Sequence, residues 1–458
     1  MSAPLQGIRS ALVIGTGVSA KAAITQLVRF GITVDVVDEN ADAAAHNWVS
    51  AASATFVDMP AIDAFLTGAL TYHLVVPSPA VPETHPVFQA ARAVDVPVWS
   101  EPELGFLLYP RRTVGITGTN GKTTTTELVS LMLNTSGITA HACGNIGEPV
   151  CDVAPVSALD DVLVMELSSF QLRFAETLTP SIGVLLNIAP DHLDWHPSFG
   201  AYKAAKTQMF VGQKPSDYAV CNADDPATIA MADQGGTVVL FSATTPVPLG
   251  VGNHDGMLRA VFGDTTYDLV TVNEIGDGNP AEHVVANIVA AAAAALLAGA
   301  SIDAVREVAR TFTPGAHRLN LVATDRYGVR YIDDSKATNV HAARAALRAV
   351  GRCVWLAGGV SKNVSLDALA NDLTQVDAAV LFGTAAPQLA AICASVGVPA
   401  HEVATLQDAV VLAATLAAPQ SAVLLAPACA SFDQFTDYRD RGRQFARAVE
   451  TVNAGSKG

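Results

Sequence analysis

Short apolar runs recur along the whole chain, most of them followed by a turn and then a helix-like stretch. They lie at 11–14, 33–37, 74–76, 113–116, 162–165, 182–186, 219–221, 238–241, 329–332, 353–357, 379–382 and 422–425. Many are continuous rather than alternating in polarity. Strands of that kind are covered on both faces, as in a parallel sheet flanked by helices. The alternation of strand with helix therefore predicts an α/β architecture. At 458 residues, half of them apolar and 15% charged, the chain has material for about three domains with ordinary cores. Two breaks stand out: residues 100–110, where SEPELGFLLYPRR separates strand-rich blocks, and residues 311–315, where Pro314 and Gly315 interrupt a helix.

Composition excludes several classes. Lys and Arg number 27 against 43 Asp and Glu, a net charge of −16, and no basic stripe offsets it, so nucleic acid is not expected as a partner. Anionic ligands would then need local positive charge from Lys, Arg, helix N-termini or metal ions. The mean hydropathy is positive. Yet the longest apolar stretch, 284–300, is mostly alanine and contains Asn287, which predicts a buried helix rather than a membrane span. The apolar run at 11–14 is too short for a signal-peptide core, so a cytoplasmic location is expected. The six cysteines are scattered without CxxC spacing and are expected to be free thiols.

The sharpest local signal is Gly115-Ile-Thr-Gly-Thr-Asn-Gly-Lys-Thr123, placed between an apolar run and a helical stretch. Glycines at 115, 118 and 121 let the backbone turn N–H groups inward around phosphate oxygens. Lys122 is placed to reach β- and γ-phosphates, the Thr123 hydroxyl is a candidate Mg²⁺ ligand, and the helix N-terminus adds a favourable dipole. The strict P-loop pattern has glycine where Ile116 stands. Glu166 closes the apolar run 162–165, where a P-loop enzyme holds its Mg²⁺. Asn187-Ile-Ala-Pro-Asp-His-Leu-Asp194 follows another run; alone, its His192 reads as a metal ligand, a phosphate contact or a loop histidine. Lys203 and Lys206, in YKAAK, lie three apart on a helix, where a surface pair is the plain reading. Near the N-terminus, Gly15-Thr-Gly-Val-Ser-Ala20 with Asp38 reads alone as a dinucleotide fingerprint, although such a string is weak.

Together, GITGTNGKTTT, MELSSFQL, NIAPDHLDWH and YKAAK resemble the central domain of the Mur ligases. The resemblance extends over the whole chain. His283-Val-Val-Ala-Asn287 looks like the family's adenine-contacting helix, Pro314-Gly-Ala-His-Arg318 like its domain-junction arginine, and Asp333-Asp-Ser-Lys-Ala-Thr-Asn339 like its nucleotide-contacting segment. Pro427-Ala-Cys-Ala-Ser-Phe-Asp-Gln-Phe435 and Arg441-Gly-Arg-Gln-Phe445 are similar to the members that add D-glutamate. The DNPR-like signature of the diaminopimelate-adding members is absent.

The resemblance implies an α/β protein of three domains. Residues 1–105 would form a Rossmann-like domain for a UDP substrate. Residues 106–314 would form a central P-loop ATPase-like parallel-sheet domain, and 315–458 a Rossmann-like domain for an amino acid. ATP is expected on Gly118, Thr119, Asn120, Gly121, Lys122, Thr123 and Thr124, with Asn287, Arg318 and Asp334. Two Mg²⁺ ions are expected on Thr123, Glu166, His192 and Lys206. An ammonium cannot ligate a cation, so the family's carbamylation of Lys206 is implied. Lys122, His192 and Lys206 form the expected catalytic set. UDP-N-acetylmuramoyl-L-alanine is expected at Gly15, Thr16, Gly17, Asp38, Ser78, Asn145 and His192. D-glutamate is expected at Lys336, Thr338, Lys362, Ser431 and Tyr438, with Ser431 beside a helix N-terminus. The implied reaction phosphorylates a carboxylate and lets an amine displace the phosphate, in cell-wall precursor synthesis. A monomer with no membrane partner and a hinge near residues 313–317 are further expectations. The competing classes are a folylpolyglutamate-synthase-like ligase, a P-loop motor or switch, an inactive nucleotide-binding scaffold, and a dehydrogenase binding NAD at residues 15–38.

Overall fold

The computed structural model describes residues 5–57, 64–68, 71–276, 278–362 and 364–455. It divides into two compact units. One comprises Met1–Ile188, Trp195–Pro280 and Val285–Thr311; the other comprises Ala189–Asp194, Ala281–Val284 and Phe312–Gly458.

The first unit holds two sheets. The smaller contains β1 (Ser10–Ile14), β2 (Thr33–Val37), β3 (Thr55–Phe56) and β4 (Leu74–Pro77), all parallel, in the order β3-β2-β1-β4. Helix Val18–Arg29 covers it by burying Ala20, Ala23, Ile24 and Leu27, which share one face at helical spacing. The larger sheet contains β5 (Arg112–Thr117), β6 (Ala140–Gly144), β7 (Val162–Glu166), β8 (Ile182–Leu185), β9 (Tyr218–Asn222), β10 (Thr237–Phe241), β11 (Gly250–His254), β12 (Met257–Phe262) and β13 (Thr265–Thr271). Their order is β13-β12-β11-β10-β9-β8-β5-β7-β6. The sheet is parallel from β6 to β11 and ends in an antiparallel meander, β11-β12-β13. Helix Glu282–Leu297 carries the alanine run, and Ile288 through Ala295 are at most 1% exposed. Among the described residues no helix is long and apolar enough to cross a membrane.

The second unit contains β14 (Asn320–Thr324), β15 (Arg330–Asp333), β16 (Cys353–Gly358), β17 (Val376–Phe382), β18 (Ala400–Glu402) and β19 (Ala422–Ala428), ordered β14-β15-β19-β16-β17-β18. Only the β14-β15 edge is antiparallel. Helix Val340–Val350 is capped by Asn339, whose side chain accepts from the Ala342 N–H, and it buries Val340, Ala343, Ala346 and Leu347. All six cysteines are free and buried.

Each of the short apolar runs overlaps a strand, and the alanine-rich stretch 284–300 falls mainly on helix Glu282–Leu297. The strands the runs do not mark are β3, β6, β11 to β14 and β18. Most are edge or antiparallel strands, which need not be apolar on both faces. The burial of β12 alternates along MLRAVF accordingly. One local expectation is corrected: after β19 the chain does not enter a helix at Ser431, because helix Tyr438–Gly455 starts seven residues later.

Candidate active site

The loop after β5 is built for an anion. Gly118 and Gly121 have φ of 153° and 85°, conformations that side-chain-bearing residues resist. A Cβ on Gly121 would also sit 2.3 Å from Asn287 Oδ1. Asn187 pins the loop: its carbonyl accepts from the Thr119 N–H (3.1 Å), its Oδ1 from the Asn120 N–H (2.9 Å), and its Nδ2 donates to Asn120 O (3.1 Å). Helix Lys122–Thr135 starts immediately after Gly121. Thr123 and Thr124 thus lie in its first turn, where backbone N–H groups lack helical partners.

Two ammonium groups meet on this loop. Lys122 Nζ donates to the carbonyls of Gly118 (2.9 Å) and Thr119 (3.0 Å). Lys206 Nζ donates to the same Gly118 carbonyl (2.9 Å) and to Thr117 Oγ1 (3.2 Å). Lys206 is only 1% exposed. Helix Phe199–Thr207 aims it inward, and its Nζ sits 4.8 Å from the Tyr202 ring centroid, one turn earlier. The Tyr202 hydroxyl is bonded to Thr119 Oγ1 at 3.0 Å. Lys203 instead lies over the Phe199 ring. Placing two cations on one carbonyl costs Coulomb energy that an added anion would reverse.

Glu166 ends β7 and is 3% exposed. Its Oε1 accepts from Asn145 Nδ2 at 2.7 Å, while its Oε2 is buried without a hydrogen-bond partner among the described residues. A buried carboxylate oxygen left open is what a hard cation would satisfy, so Glu166 fits a Mg²⁺ ligand. Among the described residues no three His, Cys, Asp or Glu side chains converge as a metal cage. Such an ion would therefore take further ligands from phosphates and water. His196, close to the rings of Phe170, Trp195 and Tyr202, accepts or donates at Ser169 Oγ (2.9 Å). Burial, helped by the charges of Lys206 and Arg173, pushes its pKa down to about 4, so it stays neutral at pH 7.

At the end of β1, Gly15 turns at φ 100°, and a Cβ there would meet Ser78 Oγ at 2.4 Å. Ser78 Oγ is itself buried without a partner among the described residues. Gly17 caps the N-terminus of helix Val18–Arg29. Thr16 Oγ1 donates to Asp38 Oδ2 (2.7 Å), and the Asn40 N–H donates to its Oδ1 (2.9 Å). Burial would raise the Asp38 pKa, but these hydrogen bonds outweigh it and hold the carboxylate below its usual range. Gly15, Thr16, Gly17, Asp38 and Ser78 thus form one polar turn.

In the second unit, the amino-acid candidates gather at the C-terminal ends of β15, β19 and β16. Lys336 Nζ rests 4.0 Å from the Tyr438 ring centroid. The Thr338 N–H donates to Lys336 O at 2.8 Å, and Ser431 is 2% exposed. Lys362 Nζ is bound to Asp191 Oδ1 at 3.0 Å, and Asn339 Nδ2 to Asp191 Oδ2 at 3.0 Å. Burial would raise the Asp191 pKa; Lys362, His192 and Asn339 together hold it low. His192 lies in this unit, at φ 54°, with Nε2 3.7 Å from Asp191 Oδ2. Asp334 is buried, and desolvation pushes its pKa up to about 7 despite an N–H bond from Leu319 and the nearby Arg318. His283 is held near 4 by burial, with Arg318 and His341 adding to the effect.

Lys122, Lys206, Glu166, Asn145 and Asn287 therefore share the first unit, whereas His192, Arg318, Asp334 and the amino-acid candidates share the second. Thr117, Tyr202, Asn187, Asp191, Asn339 and Arg441 fall inside the motifs given above without a role of their own there; Tyr202 carried the further signal of four-residue spacing from Lys206 on one helix.

Residues 116–295 match the Mur ligase middle domain, and residues 317–429 match the Mur ligase, glutamate ligase domain. The UDP-N-acetylmuramoylalanine--D-glutamate ligase of Frankia casuarinae is 41% identical over 448 residues, spanning 96% of this chain and 93% of that protein. The protein of the same name from Mycobacterium leprae is 37% identical over 495 residues, spanning 96% and 97%. Among solved structures, a pseudomurein peptide ligase type C from Methanothermus fervidus superposes with a TM-score of 0.60 at 18% identity, over 97% of this chain and 100% of that one. MurF ligase from Thermotoga maritima, solved in complex with ADP, does so with a TM-score of 0.59 at 15% identity, over 93% and 96%. These structures share the fold, and the sequence relatives carry the kinship: the chain belongs to the Mur ligase family.

Proposed function

We propose that the protein joins D-glutamate to UDP-N-acetylmuramoyl-L-alanine at the expense of ATP, through an acyl phosphate. As a Mur ligase it is an ATP-dependent ligase that forms a C–N peptide bond. The observation that carries the phosphate half of the reading is the shared Gly118 carbonyl, on which Lys122 and Lys206 converge.

In this reading the amides of residues 118–124 receive the triphosphate, with Lys122 against its terminal phosphates. Glu166 and Thr123 would hold one Mg²⁺, and His192 with a carbamylated Lys206 a second. Bound there, the ions neutralise phosphate charge and polarise the transferred group. Carbamylation would turn Lys206 from a second cation on Gly118 into an anion paired with Lys122 or Mg²⁺. Asn287, Arg318 and Asp334 would contact the nucleoside. The polar turn around Asp38, with Ser78 and Asn145, would take the UDP substrate. Lys336, Thr338, Lys362 and Ser431 would supply donors for the two carboxylates of D-glutamate, and Asp191 would hold Lys362 until that substrate arrives. We further read the chain as a cytoplasmic monomer with domains at 1–105, 106–314 and 315–458.

Phosphate release with ATP, Mg²⁺ and UDP-N-acetylmuramoyl-L-alanine tests the reading. D-glutamate should support turnover, while L-glutamate, L-lysine and diaminopimelate should not. Equal turnover with all four would remove the substrate assignment.

A further inference from the structure

Arg441 is among the largest fully buried side chains, with 0% exposure, and it lies one turn into helix Tyr438–Gly455. Its guanidinium reaches three separate loops. Nε donates to Ser335 Oγ (3.0 Å) and one terminal nitrogen to Ser335 O (2.9 Å). The other terminal nitrogen donates to Cys429 O (3.1 Å) and Gly358 O (3.4 Å). Ser335 Oγ in turn donates to Tyr438 O at 2.8 Å, which closes the ring back onto the arginine's own helix.

These acceptors mark the C-terminal ends of β15, β19 and β16, which are adjacent in the sheet. Each amino-acid candidate follows one of them closely along the chain. Lys336 and Thr338 come after Ser335, Ser431 after Cys429, and Lys362 after Gly358. Tyr438, which holds the Lys336 ammonium, lies one turn before Arg441 on the same helix. Burial lowers the Arg441 pKa only to about 10, so its charge persists at neutral pH. A planar fork with fixed donor directions can satisfy carbonyls on several loops at once; a lysine ammonium on a flexible stem cannot reproduce that geometry.

We propose that Arg441 is a positioning residue that sets the spacing of the three loops carrying the amino-acid site. It acts on the second substrate's pocket and not on phosphoryl transfer. The proposal rests on the reading of that pocket as the D-glutamate site.

The test separates the two half-reactions in the full-length enzyme. With ATP, Mg²⁺ and UDP-N-acetylmuramoyl-L-alanine but no amino acid, hydroxylamine intercepts the acyl phosphate as a hydroxamate and releases phosphate. Arg441→Lys should form hydroxamate within about twofold of wild type. The KM for D-glutamate should rise about 100-fold in Arg441→Lys and about fivefold in Ser335→Ala. Arg441→Ala should regain part of its D-glutamate ligation when guanidinium is added at millimolar concentration. Thermal melts report whether each variant folds, and Ser335→Ala keeps the test alive should both arginine variants unfold. Hydroxamate formation falling in step with ligation, or an unchanged KM for D-glutamate in folded variants, would overturn the proposal. A wild-type enzyme that ignores D-glutamate would instead overturn the reading beneath it.

Discussion

The proposed phosphate end of the first unit and the proposed amino-acid end of the second sit at the same place topologically, on the C-terminal edge of a largely parallel sheet. They are built from different parts. The phosphate end is mostly main chain: two left-handed glycines, a helix N-terminus and a loop pinned by Asn187. The amino-acid end is mostly side chain: Lys336 on Tyr438, Lys362 on Asp191, and Arg441 joining three loops. A site made of amides neither titrates nor tolerates a Cβ in its turns. A site made of side chains can be retuned residue by residue, which suits a family whose members differ in the amino acid they add.

The largest test of this contrast is Lys122→Ala. It should lower phosphate release about 10³-fold while leaving the melting temperature nearly unchanged, because Asn187 still pins the loop through Thr119 and Asn120. A matching loss of stability would show that the side chain, not the amides, shapes the loop.

Glu166→Gln should cost about 10²-fold in turnover and raise the Mg²⁺ concentration needed for half-maximal rate, since the open Oε2 loses its charge. A magnesium titration that superposes on wild type would refute this.

The titratable end should announce itself in stability. Folded Asp334 releases its proton near pH 7 and unfolded Asp near 3.8, so the native chain holds an extra proton between those values. Stability must then fall as pH rises from about 4 to about 7 and level off above. Asp334→Asn should remove that slope and raise stability at pH 8 by roughly 4 kcal/mol. Urea midpoints at pH 5 and pH 8 decide it.

Tyr438→Leu should raise the KM for D-glutamate about tenfold and leave that for ATP alone, since a partly buried cation–π contact is worth about 1–2 kcal/mol. The smallest effect is expected for Tyr202→Phe, which removes the hydroxyl bonded to Thr119. One neutral hydrogen bond is worth about 1 kcal/mol, so the KM for ATP should rise about threefold to fivefold with D-glutamate unaffected.

Much of this was readable from the chain alone. Continuous apolar runs announce parallel strands because both faces must be dry, and glycine spacing between a strand and a helix announces a phosphate loop because few other residues turn that way. Both are local properties, carried by neighbours in sequence. The strands β3, β6, β11 to β14 and β18 escaped because most are edge or antiparallel strands, and one solvated face needs no apolar run. Nothing local marked the sharing of Gly118 by Lys122 and Lys206, whose alignment depends on helix Phe199–Thr207 lying over the loop. The Lys362–Asp191 pair spans 171 residues and the Arg441–Ser335 contact 106, so only the folded chain brings them within hydrogen-bond range. Burial likewise decided the charge states of Asp334 and His196, because desolvation is a property of the surroundings and not of the residue.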